Sequence, residues 1–144
     1  MSKKTTILPS DRLCAILVLA AERMPERDPI WNLPVFNAHD YELQRIFYRI
    51  QEPMSYRQVR DIDGFLFCPE SPGPYSPALH EAITHLQVSG IISRKDSENP
   101  RAVYLNPSGK SYYDDVLRQV LTEEDIRKYD GLAAMFLDKI RTLN

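Results

Sequence analysis

The sequence predicts a mainly α-helical chain with a small β-hairpin wing, an α+β fold forming one domain over residues 1–144. Three observations carry this. The length of 144 residues suits one compact domain, and an apolar fraction of 43% is normal for a chain that buries a core. Apolar residues recur at helical spacing in several separate segments. Between Pro74 and Leu105 a capped helix, a glycine stop and two short β-prone runs follow one another.

Residues 1–8 read as a loose, basic lead-in. Ser10 is the expected cap of a first helix, with Asp11 favoured at its positive end. Leu13, Ile16, Leu17 and Ala20 form its apolar face, and Pro25 ends it. The apolar run Leu13–Ala21 is too short for a bilayer, which needs ~20 such residues. Lys3 and Lys4 precede it, as in a signal peptide. However, Asp11 and Arg12 interrupt the approach, and Glu22 to Pro25 stand where small residues belong at a cleavage site. The expectation is a buried helix in a cytoplasmic protein without a membrane partner.

The prolines at 29 and 34 predict an irregular connection from Met24 to Ala38 that tucks Trp31, Val35 and Phe36 against the core. A second helix is expected from Asp40 to Gln51, with Leu43, Ile46, Phe47 and Ile50 inward and Pro53 closing it. Phe65–Cys68 is a short strand candidate, and Pro69–Pro74 a turn-rich loop.

The pattern then sharpens. Ser76 caps a helix with Pro77 at its first position. Leu79, Ile83 and Leu86 are the inward positions of about four turns, and Gly90 supplies a left-handed stop. Ile91–Lys95 and Arg101–Leu105 read as strands around a polar turn. Asn106-Pro107 opens a helix to about Leu121, which places the domain core at about 40–121. Thr122 caps a last helix over 122–143, with acids in its first turn. Ile126, Tyr129, Leu132, Phe136 and Ile140 form its apolar stripe, and Gly131 is the expected kink. That stripe suits either self-association as a dimer, a partner surface or packing on the chain's own core. Cys14 and Cys68 read as small core residues, a single disulfide being the other use open to them.

The order of helix, glycine stop, strand, turn, strand and Asn106-Pro107-Ser108-Gly109 resembles the winged-helix core of MarR- and PadR-type regulators. There the step into the wing runs as Leu86 to Ile92 does here. A narrower resemblance joins Leu43-Gln44-Arg45-Ile46-Phe47-Tyr48 to Gly73-Pro74-Tyr75-Ser76. It is to the prokaryotic Gly-Pro-Tyr-Ser group of winged-helix-like proteins, SocA-like or Panacea-like, which includes antitoxin and proteolysis-adaptor domains. Arg45 stands where that group carries lysine, and Pro69–Pro72 is an insertion. The resemblance implies a winged helix with additional N- and C-terminal helices. Its members serve different functions.

No catalytic residue, metal site or cofactor is expected. His80 and His85 are five apart, so on a helix they diverge by roughly 140°, unlike the four-residue spacing of a zinc helix. They read as solvent-facing residues. His39 beside Asp40 reads as a helix start before it reads as an acid–base pair. There is no glycine-rich phosphate loop and no nucleophile elbow, so an enzyme is not expected.

Net charge is −2, whereas a DNA-gripping domain usually carries a basic excess. Any nucleic-acid contact must come from a local patch. The candidates are His80 and Thr84 on the Pro77 helix, Arg94, Lys95 and Arg101 at the wing, and Arg57 and Arg60 in the segment expected to lead a helix-turn-helix. Glu81 and the absence of Lys or Arg from the Pro77 helix work against phosphate contact. Two functions follow, the first placed ahead because this architecture so often binds DNA, here through a weakly basic wing. One is a dimeric winged-helix transcription regulator whose partner is duplex DNA. The other is an interaction module, antitoxin-like or adaptor-like, whose partner is a toxin or another protein. Winged helices serve both purposes.

Overall fold

A computed structural model describes residues 7–50, 75–94 and 98–143. The expected strand at 65–68, Cys68, and the DNA candidates Arg57, Arg60 and Lys95 lie outside the described residues.

Helix α1 spans Pro9–Glu22. Its cap position is Leu8, two residues ahead of the expected Ser10. The Leu8 N–H donates to the Asp11 carboxylate at 3.1 Å, and Pro9 occupies the first turn without needing a partner for a missing N–H. Every residue from Leu13 to Ala21 is buried. The helix therefore needs no polar face, and its continuous apolar run follows from its central position. It packs against the third and the last helices.

The connection to residue 34 does not tuck Trp31 inward. Asp28 organises a tight turn: its carboxylate accepts from the Ile30 and Trp31 N–H groups at 3.0 and 2.8 Å, and its N–H donates to Leu33 O at 2.9 Å. Asn32 takes the left-handed conformation at φ 56°. The turn satisfies its own backbone and leaves Ile30 and Trp31 exposed.

Strand β1, Val35–Asn37, follows where only irregular chain was expected. Helix α2 occupies residues 40–50, with Leu43, Ile46, Phe47 and Ile50 buried as expected. Helix α3, Pro77–Val88, is a little shorter than four turns. Ser76 Oγ accepts from the Leu79 N–H at 3.2 Å. Its end is a Schellman motif. Ile91 N–H reaches Leu86 O at 2.9 Å, Gly90 N–H reaches Gln87 O at 3.2 Å, and Gly90 sits at φ 81°.

The hairpin is narrower than expected, with β2 over Ile92–Ser93 and β3 over Ala102–Leu105. β3 is the central strand of an antiparallel sheet ordered β1-β3-β2. Phe36 lies opposite Val103, and Ile92 opposite Leu105. All four β3 residues are buried.

Helix α4, Pro107–Tyr112, runs through a π-helical turn, Tyr113–Leu117, into α5, Arg118–Val120. Gly109, Tyr113, Leu117 and Leu121 are all buried. A four-residue spacing drifts around an α-helix, and the wider π turn brings it back to one face. Helix α6, Glu123–Leu143, is capped by Thr122, whose Oγ1 accepts from the Asp125 N–H while Asp125 accepts from the Thr122 N–H. It is continuous through Gly131, so the glycine does not divide it, and Gly131 faces open space. Phe136 is fully buried, with ring centroids 5.5 Å from Phe36 and 5.3 Å from Phe47. The fold is mainly helical with a small three-stranded antiparallel sheet.

Candidate functional site

The start of α2 meets the root of the hairpin. His39 precedes the helix, and its N–H donates to Glu42 Oε1 at 2.8 Å. The same carboxylate takes Arg101 from the residue before β3. Nε donates to Oε1 at 3.0 Å and Nη2 to Oε2 at 3.3 Å, with a further bond from Nη2 to Asn37 O at 3.3 Å. Arg94, just after β2, pairs with Asp40 and donates to Pro100 O at 2.9 Å. Burial pushes the Glu42 carboxyl up. The His39 N–H and the Arg101 guanidinium outweigh it and hold the group below its ordinary value.

Two of the expected DNA contacts, Arg94 and Arg101, are thus directed at carboxylates of this same chain, and neither side chain is more than about one-third exposed. Each of the two guanidinium groups is thus already paired with a carboxylate of α2. Sequence reading missed this because Asp40 and Glu42 are distant in the chain, although two acids at a helix start are an ordinary dipole pairing.

Helix α3 is set by a buried clasp. The Ser76 N–H donates to Gln44 Oε1 at 2.7 Å, and Gln44 Nε2 donates to Ser76 O at 3.1 Å. The two segments of the Gly-Pro-Tyr-Ser resemblance therefore meet here, on the 44–76 contact. Leu79, Ala82, Ile83 and Leu86 face inward. His80, Glu81, Thr84, His85 and Val88 are exposed, and the Tyr75 ring lies 6.2 Å from that of His80. His80 and Thr84 are accessible as expected, one turn apart. Glu81 shares the surface and no Lys or Arg is present on α3.

The candidate dimer stripe points inward. Tyr129, Leu132, Phe136 and Ile140 are buried in the chain's own core, and Ile126 packs partly buried against it. Of the uses open to that stripe, packing against α1 is the one observed.

A second surface was not foreseen. Arg45 and Arg49, one turn apart on the exposed side of α2, line a cleft with Lys139, Thr142 and Leu143 of α6, over Ile46. The four-residue spacing of the two arginines was the available signal. Among the described residues, no group of three or more His, Cys, Asp or Glu is arranged to hold a metal, and no helix is long and apolar enough to cross a membrane. No family model, no curated protein and no solved structure matches the chain.

Proposed function

We propose that this chain is a protein-interaction module on a winged-helix scaffold, of the adaptor or antitoxin-like kind, acting in the cytoplasm by binding rather than catalysis. The winged-helix reading is supported by the order α1-β1-α2-α3-β2-β3 and by the β1-β3-β2 sheet. It is further supported by the clasp that joins the two segments of the sequence resemblance.

The observation that carries the functional reading is the pairing of Arg94 with Asp40 and of Arg101 with Glu42. Duplex DNA is held mainly through cations on phosphate. Here the wing arginines in the described residues are matched by acids of α2, and α3 presents Glu81 among neutral side chains. A surface of histidine, threonine, glutamate and valine suits a protein partner better than a phosphate backbone.

The element order also favours a second reading, a transcription regulator that places His80 and Thr84 in a DNA groove. A photo-crosslinking amino acid at Thr84, in the full chain in its native host, separates the two. Protein adducts without nucleic-acid adducts are expected. Nucleic-acid adducts at Thr84 would replace the module with the regulator.

A further inference from the structure

The geometry points to a docking groove for an acidic peptide segment bearing an apolar side chain, formed between α2 and the last turns of α6. This deepens the interaction-module reading and rests on it. Arg45 and Arg49 rise from α2 and Lys139 from α6 around a cleft of about 80 Å³. Exposed Leu143 supplies apolar surface to it, over the buried Ile46 at its floor. Among the described residues no carboxylate pairs with any of the three cations. The one acid in the cleft, Glu42, is already bound to the His39 N–H and the Arg101 guanidinium. Three positive charges therefore converge on one small cleft in a chain of net charge −2.

The spacing of the two arginines brings them no mutual stabilisation. Like charges four apart on a helix repel, so Arg45 and Arg49 work against α2. Arginine forks match carboxylates in bidentate geometry. Phosphate backbones call for cations spread along a track, whereas these surround a short cleft with apolar surface. Alternating acids around one aliphatic side chain satisfy both features: carboxylates reach the guanidinium and ammonium groups, and the aliphatic group meets Ile46 and Leu143.

The test is an amide-resolved NMR titration of the full chain with acetylated Glu-Glu-Leu-Glu-Glu. Glu-Glu-Gly-Glu-Glu, Lys-Lys-Leu-Lys-Lys and a mixed-sequence DNA duplex serve as parallel probes. The leucine peptide is expected to shift residues 42–49 and 139–143, more tightly than the glycine peptide, with the basic peptide inert. R45E/R49E should weaken its binding by about tenfold or more, which is 1.4 kcal/mol or more, while keeping the native amide spectrum. If that double variant does not fold, K139E is read in its place and should weaken binding in the same direction. Shifts that are absent, scattered, equal for the basic peptide or unchanged in the variants would overturn the groove. Duplex DNA that shifts this cleft and loses binding in R45E/R49E would overturn both the groove and the interaction-module reading. DNA that instead shifts α3 and the hairpin, with the acidic peptide still in the cleft, would overturn only the module reading.

Discussion

The side-chain amide of Gln44 and the backbone of Ser76 hold each other from both sides, N–H to Oε1 at 2.7 Å and Nε2 to carbonyl at 3.1 Å. Both residues are buried, Gln44 at 5% and Ser76 at 0% exposure. An amide has one acceptor and one donor end, so glutamine can serve both groups at once. The clasp fixes where α3 begins relative to α2, and hence the direction of the His80 and Thr84 face.

Gln44→Ala leaves the Ser76 N–H and carbonyl without these partners and should cost about 1–3 kcal/mol. Gln44→Glu should cost more, because a carboxylate cannot donate to the carbonyl and brings a charge into a buried position. Urea unfolding of the two variants gives the order directly.

Arg101 contributes to stability through Glu42 and Asn37. Arg101→Gln should destabilise by about 1.5–3 kcal/mol, the range for hydrogen bonds to charged groups, rather than by the ~0–1 kcal/mol of an exposed pair. The Glu42 carboxyl lies below its ordinary value in the fold. Its ionised form therefore stabilises the native state. That contribution is present above the unfolded value of about 4.3 and is lost as pH falls through the lower folded value. Unfolding midpoints measured across the acid range should fall less steeply in Arg101→Gln than in the wild type.

Two glycines should respond with opposite sign. A Cβ at Gly109 would stand 2.8 Å from Leu105 Cδ1 and 3.0 Å from Ile91 Cγ2. Gly109→Ala should therefore cost about 1–3 kcal/mol through overpacking. Gly131 lies in α6 with nothing within 4 Å of such an atom. Gly131→Ala should stabilise by about 0.5–1 kcal/mol, since alanine is the better helix former. Thermal melts of both variants check the pair.

Cys14 should be chemically silent in the native chain. Burial, with the nearby Asp11 charge adding to it, pushes its thiol up to about 12, and the thiolate is the reactive form. Iodoacetamide at neutral pH should label the Cys14 peptide after denaturation and not before, as read by mass spectrometry.

What the sequence disclosed follows the range of the forces involved. The Ser76 cap, the Gly90 stop and the Thr122 box are set by neighbours within a few residues, and each appears where its motif stands. The α2 and α6 stripes were legible from spacing. β1 was not, because three residues carry no periodicity and its partner β3 lies far along the chain. Trp31 looked like a core residue by type, but the Asp28 turn satisfies its own backbone and needs no cover. The site was least legible where it is non-local. The sequence shows Arg94 and Arg101 as wing cations, and only the fold brings Asp40 and Glu42 beside them. The direction of the α6 stripe similarly became visible only with α1 in place.

The proposed interaction module presents α3 and the hairpin without binding duplex DNA. Fluorescence anisotropy of a labelled mixed-sequence duplex, titrated with the full chain at about 50 mM salt and again at about 200 mM, tests it most directly, because phosphate-driven binding weakens by orders of magnitude over that interval. The expected result is no saturable binding at either salt concentration. Saturable binding at low salt that collapses at the higher concentration, and that is lost in Thr84→Glu, would contradict the account.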